Sequence, residues 1–114
     1  MAVDKGLMGG STVFMLLSLL QEKPCYGYEI IKEIEKRSDN VFQMKEGTLY
    51  PVLHRMENQG YVESYREKTD SGKERKYYRI TTKGQGQLVE EEKQWKEFTF
   101  SVAKVVGGMS YGTA

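Results

Sequence analysis

The sequence has a single cysteine, two prolines and no long uninterrupted apolar run. One cysteine, Cys25, excludes an intramolecular disulfide and any zinc site built from several cysteines. The longest apolar-leaning run covers residues 13–20, far short of the roughly 20 residues that a bilayer-spanning helix requires. No basic segment followed by an apolar one comes after Met1, so a secretory signal is not indicated. We therefore predict a cytoplasmic protein without a membrane partner.

Neither sign of charge dominates the chain, which has 17 Lys and Arg against 16 Asp and Glu in 114 residues. That length predicts one domain with one modest core. The basic residues are unevenly placed: residues 41–86 hold nine basic and six acidic residues, and residues 66–83 hold seven and three. This local excess, rather than the net charge of +1, is the indication of an anionic partner.

Hydrophobic spacing and turn residues predict four helices and a β-hairpin. The predicted helices run from Ser11 or Thr12 to about Glu22, over residues 26–37, from Gly47 or Thr48 to Gly60, and from Thr81 or Thr82 to about Val106. We expect Pro51 to lie in or next to the first turn of the third helix, because a later proline would remove a hydrogen bond. Strands over residues 61–69 and 73–81 flank the turn residues 70–72.

The third predicted helix has two different faces. Leu49, Val52, Leu53 and Met56 lie within one arc, which is the spacing of a stripe that faces a core. The opposite arc carries Gly47, Tyr50, Pro51, His54 and Asn58, with Arg55 on its flank. A polar, non-acidic helix face beside a basic hairpin is typical of proteins that read duplex DNA. We predict an α+β fold, mainly α, of the winged helix-turn-helix type.

The candidate DNA contacts on and around the third helix are Tyr28, Lys45, Thr48, Tyr50, Pro51, His54, Arg55 and Asn58. Tyr50, Pro51, His54 and Asn58 would face the major groove, where His54 can donate to base acceptors. Thr48 and the backbone N–H groups at the helix start can bind a phosphate, and Arg55 and Lys45 suit the DNA backbone. Tyr28 would either support the third helix or contact a phosphate. The alternative for this face is an ordinary solvated helix surface.

The hairpin supplies the candidates Lys73, Arg75 and Lys76, just past its turn. A wing at this place meets phosphates or the minor groove of DNA. The alternative is a protected edge, since lysine also guards edge strands against aggregation. Tyr77 and Tyr78 alternate across the strand, so we expect one of them to belong to the core.

The last predicted helix has an apolar seam. Its members recur in a and d positions of a seven-residue repeat, with Glu91 as the one polar member: Leu88, Trp95, Phe98, Val102 and Val105. A single helix that follows a hairpin has little of its own domain left to cover such a stripe. The seam therefore predicts a coiled-coil-like homodimer. The alternative is that this helix folds back onto the first helix.

Three segments resemble the PadR family of bacterial transcriptional regulators: YGYEI at 26–30, EGTLYPVLHRMENQGYVES at 46–64 and GKERKYYRITTKG at 72–84. The resemblance implies a winged helix-turn-helix domain over residues 1–84, with the wing at about 61–81. It further implies a C-terminal dimerisation helix and tail over residues 85–114, packed with the first helix. Members of the family are mostly repressors, which leave inverted-repeat operators when a small molecule or a stress signal arrives.

The resemblance also suggests a ligand site at Trp95. In compact family members that sense drugs, two symmetry-related tryptophans sandwich flat aromatic compounds between the subunits, and Trp95 stands at the matching place. Candidate ligand-binding residues are Trp95, Phe98, Phe14, Met8 and Met15. The sequence departs from that pattern in Gly9–Gly10 and in the bulky Phe98 and Phe100, which could narrow such a pore. The alternative is that Trp95 only packs in the dimer seam.

The sequence gives no indication of an enzyme. Cys25 and His54 are the only candidates for a thiol–imidazole pair, and both positions have simpler explanations. No glycine-rich phosphate loop or metal-ligand cluster is present, so we predict no catalytic residues, no metal and no cofactor. The two competing functions are a winged-helix module that binds a protein partner and a drug-binding protein without specific DNA binding.

Overall fold

The structure is a computed structural model that describes residues 10–107. Its elements in chain order are α1 Thr12–Glu22, β1 Cys25–Tyr26, α2 Gly27–Arg37, α3 Glu46–Asn58, β2 Val62–Lys68, β3 Glu74–Ile80 and α4 Thr82–Val105. The three strands form one antiparallel sheet in the order β1-β3-β2. The predicted fold class, mainly α with a small antiparallel sheet, is confirmed. Met8 lies outside the described residues.

Helix α1 lies at the centre of the core because it is apolar nearly all round. Leu16, Leu17, Leu19 and Leu20 are buried, and Val13 and Met15 pack against the same cluster. The end of α1 is tied to α2 by Arg37, whose guanidinium donates to both carboxylate oxygens of Glu22 at 2.7 and 2.8 Å. These contacts join the end of α1 to the end of α2 at the surface.

Strand β1 was not predicted, because a two-residue strand is too short to show an alternating pattern. Cys25 pairs with Tyr78 and Tyr26 with Tyr77, both on β3. The Tyr26 N–H also donates to Glu29 Oε1 at 3.1 Å, which satisfies a backbone donor at the start of α2. One short segment therefore joins α1, the sheet and α2.

Helix α3 begins earlier than predicted, and the expectation for Pro51 was wrong. The helix starts at Glu46, so Pro51 is its sixth residue and lies beyond the first turn. Proline has no N–H for the carbonyl four residues earlier and its ring crowds that carbonyl. Here that residue is Gly47, which is exposed, so water can satisfy the carbonyl. The proline is tolerated because it faces solvent, not because it begins the helix.

Helix α3 ends at Asn58, and Gly60 stops it from the position after its cap, as predicted. Gly60 has a φ of +83°, a backbone conformation that favours glycine. Its N–H donates to Glu57 O at 3.0 Å, and the Tyr61 N–H donates to Met56 O at 2.9 Å. These two bonds form a Schellman motif, which satisfies the last carbonyls of the helix and turns the chain into β2.

The hairpin of β2 and β3 packs one of its faces on the core. Val62 pairs with Ile80, and Tyr78 is buried while Tyr77 is half-buried, so the expectation of one core tyrosine is confirmed. Gly72 closes the turn with a φ of +82°. Ser64 Oγ donates to Glu57 Oε2 at 2.6 Å, which links β2 to α3. The wing is thus held against the helix that precedes it.

Helix α4 begins with a cap that also fixes its position. Thr81 Oγ1 accepts a hydrogen bond from the Gly84 N–H at 3.0 Å. Gly84 is buried against the backbone carbonyl of Tyr61, where a Cβ atom would collide with the oxygen. A glycine that weakens the first turn on propensity alone is therefore required for the close approach of α4 to the sheet.

The second half of α4 has few neighbours in the described chain. Leu88 packs against the core cluster and Trp95 against Phe14 of α1, whereas Phe98, Phe100 and Val105 are exposed. Within residues 10–107, no helix is long and apolar enough to cross a membrane.

Gly84→Ala should destabilise the protein, because the added methyl group meets the Tyr61 carbonyl. We expect the free energy of unfolding to fall by about 1–3 kcal/mol, the usual cost of overpacking. Gly86→Ala is the matched control, since nothing lies within 4 Å of the position that a Cβ would occupy there. It should raise the free energy by about 0.5–1 kcal/mol through helix propensity. Urea denaturation measures both, and equal effects would contradict this packing.

Candidate nucleic-acid interface

The outward face of α3 is a continuous exposed surface. The residues on it that are exposed to solvent are Tyr50, Pro51, His54, Arg55 and Asn58. Leu49, Val52, Leu53 and Met56 on the opposite side are buried, as the spacing predicted. Burial of one stripe thus presents the other stripe to solvent along about three turns of helix. A helix in this setting has the width and polarity to enter a major groove.

Tyr50 is only partly free on this face. Its side chain is 40% exposed, and its hydroxyl lies against the backbone of Gly27 at the start of α2. Burial, followed by the nearby negative charge of Glu46, raises the pKa of Tyr50, so the hydroxyl stays protonated and can donate. A side chain at position 27 would displace this ring, which explains why glycine fits there.

The start of α3 and the start of α2 present the remaining predicted helix contacts. Lys45 precedes the first residue of α3 and is exposed, whereas Thr48 is half-buried. Tyr28 on α2 is exposed, and the Lys32 ammonium lies 5.4 Å from its ring centroid. Just over half of the Tyr28 side chain is exposed, so part of its ring is accessible from solvent.

The wing cations lie on different faces of the hairpin. Lys76 follows the same alternation as buried Tyr78, and its ammonium lies 5.5 Å from the Tyr78 ring centroid. Lys76 therefore lies on the same face of the hairpin as Tyr78. Lys73, at the turn, is exposed. Arg75 is half-buried on the opposite face of the sheet, so the three predicted contacts are not equivalent.

A row of tyrosines crosses the outer face of the sheet, and sequence reasoning did not find it. Tyr26, Tyr77 and Tyr65 are paired neighbours on β1, β3 and β2. The Tyr26 and Tyr77 ring centroids are 5.4 Å apart, and those of Tyr65 and Tyr77 are 5.7 Å apart. The Arg75 guanidinium lies 4.4 Å from the Tyr26 ring centroid, and Arg79 lies 5.1 Å from that of Tyr65. These ring–ring and cation–ring contacts brace the wing against β1.

The predicted ligand residues are partly brought together. The Trp95 ring centroid lies 6.2 Å from that of Phe14 and 6.4 Å from that of Phe98. Trp95 is 38% exposed and Phe98 is 62% exposed, so one side of this aromatic cluster is open. Met15 is half-buried on α1 and lies, with Phe14, on the wall of a separate cavity.

That cavity lies between α1 and the end of α2 and has a volume of about 300 Å³. Its lining is apolar except for two serines and one arginine: Phe14, Met15, Ser18, Leu19, Ile34, Arg37, Ser38 and Phe42. Arg37 is bound to Glu22 and Glu33, and these hydrogen bonds raise its pKa. Because its charge is already paired, the cavity offers little attraction to an anion.

The dimerisation candidates on α4 differ in exposure. Leu88 packs against the core cluster, and Val102 is 36% exposed. Val105 is 84% exposed near the end of the helix. The seam is therefore covered at Leu88, and its other members are exposed to different extents.

The described residues contain no group of three or more potential metal ligands. Cys25 is buried in β1, and burial, followed by the charge of Glu29, raises the pKa of its thiol. A neutral buried thiol is a poor nucleophile. His54 is exposed on α3. The candidate thiol–imidazole pair thus has neither the ionisation nor the setting of a catalytic pair.

Comparisons with known proteins agree with this geometry. Residues 16–90 match the model of the transcriptional regulator PadR-like family. An uncharacterized protein of Lysinibacillus sphaericus is 43% identical over 95 residues, covering 83% of this chain and 87% of that protein. The transcriptional regulator Rv3488 of Mycobacterium tuberculosis is 34% identical over 77 residues, 68% of each chain. A solved transcriptional regulator of Clostridium thermocellum is similar with a TM-score of 0.81 and 34% identity, over 88% of this chain and 97% of that one.

Proposed function

The chain belongs to the PadR-like family of transcriptional regulators, and from that membership we propose that it is a homodimeric repressor of an inverted-repeat operator. Members of this family bind DNA and generally dimerise, and they are regulators rather than enzymes. The observation that carries the proposal is the exposed polar face of α3 beside a basic wing. A regulator of this kind works on the chromosome, so we place it in the cytoplasm.

In the proposed complex α3 enters the major groove. Tyr50, Pro51, His54 and Asn58 face the base edges, with Arg55 directed to the DNA backbone. Lys45, Thr48 and Tyr28 bind phosphates beside the groove. Lys73 and Lys76 contact the flanking DNA backbone from the wing, and Arg75 contacts it from the outer face of the sheet. The exposure of these side chains, except for half-buried Thr48 and Arg75, supports this assignment.

In the proposed dimer the α4 seams of two protomers pack together. Trp95, Phe98, Val102 and Val105 would be buried by the partner, with Leu88 at the start of the seam. The exposure of these apolar side chains in one protomer supports this arrangement, because monomeric proteins rarely leave such a contiguous stripe in water. The two α3 helices of the dimer would then bind half-sites about one turn of DNA, or ~34 Å, apart.

The proposed effector is a planar aromatic molecule that binds between the subunits at Trp95, with Phe14, Phe98 and Met15 nearby and Met8 as a further candidate. The open side of the Phe14–Trp95–Phe98 cluster supports this site. If effector and operator prefer different dimer geometries, each weakens the binding of the other by the same factor. Release from the operator follows from that coupling.

Replacing Lys73 and Lys76 by Ala should weaken DNA binding and reduce its salt dependence. Each lost phosphate contact should lower the slope of log K against log salt by about one unit. Duplexes selected from a random pool supply the target, and Lys93→Ala with Lys96→Ala, on α4, is the control of equal charge. An unchanged slope would contradict a phosphate-contacting wing. Absence of any sequence preference in the wild type would favour a protein-binding module instead.

Phe98→Glu should separate the proposed dimer, because it places a charge in the apolar seam. Val89→Glu is the matched control: Val89 is 69% exposed and lies on the opposite side of α4. Sedimentation velocity at micromolar concentration should show a dimer for the wild type and Val89→Glu and a monomer for Phe98→Glu. A monomeric wild type would reject the dimer.

Fluorescence of Trp95, the single tryptophan, should be quenched by some planar aromatic compounds. Quenching should saturate, and Phe14→Leu should weaken it because the Phe14 ring borders Trp95. Val89→Ala, an exposed control on α4 outside the aromatic cluster, should leave it unchanged. A compound that binds here should also reduce operator affinity. No quenching across neutral and cationic compounds would make Trp95 a packing residue.

A further inference from the structure

The residues at the start of α4 are hydrogen-bonded to the residues that directly follow α3. Thr81 Oγ1 donates to Gly60 O at 2.6 Å, and Lys83 Nζ donates to Gln59 O at 2.8 Å. The Thr81 N–H also donates to Tyr61 O at 3.0 Å. We call these residues, 59–61 and 81–84, the α3–α4 clamp.

The clamp combines polar contacts with close packing. The Lys83 ammonium lies 5.5 Å from the Tyr61 ring centroid, and the Lys83 stem lies closest to the position that a Cβ would occupy at Gly60. Its positive charge also suits the C-terminal end of the α3 dipole, where carbonyls lack helical donors. Buried Gly84 packs on the Tyr61 carbonyl. Gly84 thus brings the start of α4 against the backbone that follows α3, and the Lys83 side chain spans the two segments.

The clamp is a short physical route between two proposed surfaces. Helix α3 carries the residues that face DNA, and α4 carries the seam that faces a second protomer. Along the chain, Thr81 lies 21 positions after Gly60, and the hairpin forms most of the intervening segment. Without the clamp, the angle between α3 and α4 would depend on the hairpin and on the packing of α1.

We propose that the α3–α4 clamp determines which half-site separation the dimer accepts, and that Lys83 and Thr81 are its positioning residues. The inference rests on the proposed function, because it requires a dimer that reads two half-sites. A fixed angle between α3 and α4 places two recognition helices at one distance and one rotation. Adding or removing one base pair between the half-sites shifts one half-site along the DNA axis and also rotates it about that axis. A rigid dimer would therefore lose base contacts at one of the two half-sites.

Lys83→Met is the primary test, because it keeps the stem over Tyr61, leaves the Thr81 cap and removes the bond to Gln59. Binding is measured on duplexes that carry the selected half-site twice, at separations varied in single base-pair steps around one turn, and on a single half-site. The wild type should lose at least about tenfold in affinity one step from its optimum. Lys83→Met should lose less than about threefold at the same step, with unchanged affinity for the single half-site.

Three further variants complete the test. Lys83→Arg keeps a cationic donor and should restore the sharp optimum. Lys93→Met removes a lysine elsewhere on α4 and should match the wild type. Thr81→Val should broaden the dependence of affinity on half-site separation. Thr82→Val, at the exposed residue next to it, should not. Thermal unfolding confirms that each variant is folded at the assay temperature.

The outcomes are distinguishable. A flat profile for Lys83→Met beside a sharp one for the wild type supports the clamp. An identical profile, or a loss that is equal at every separation and on the single half-site, overturns it. If the wild type shows no preference among sequences, the proposed function itself fails, and the clamp as a determinant of separation fails with it.

Discussion

Leu49, Leu53 and Met56 are fully buried, and the orientation of α3 follows from the burial of these side chains. A helix that buries one stripe must present the opposite stripe, so the position of His54 and Asn58 is a consequence of the core. The Schellman turn at Gly60 then directs the chain into the wing, and Ser64 and Glu57 hold the wing beside the helix. The exposed polar surface is therefore decided by apolar packing on its far side.

Much of this arrangement could be predicted from the sequence, because it depends on local signals. The two faces of α3 follow from helical spacing, and its end and the hairpin turn follow from Gly60 and Gly72. The rest depends on pairing between distant residues. Strand β1 has no periodicity of its own, and the stacking of Arg75 on Tyr26 requires the register with Tyr77. Pro51 was misplaced because propensity favours the first turn, whereas solvent exposure allows a later position.

Helix α4 shows the same contrast between a local pattern and a contact with distant residues. A seven-residue repeat is readable in a sequence, but the partner that covers it is not. In the structure Trp95 packs against Phe14 on one side and is open to solvent on the other. Helix α4 therefore folds back onto α1 in part and also presents part of its apolar seam to solvent. These two possibilities were alternatives in the sequence, yet the geometry allows them together.

The hairpin lies outside the α3–α4 clamp, since the chain leaves at Tyr61 and returns at Thr81 to the same place. Its tip at Gly72 meets nothing within 4 Å of the position that a Cβ would occupy. The wing is thus a loop inserted between two residues that are already bonded to each other. Its length and charge can diverge, by mutation or by grafting, while the spatial relation between α3 and α4 is retained.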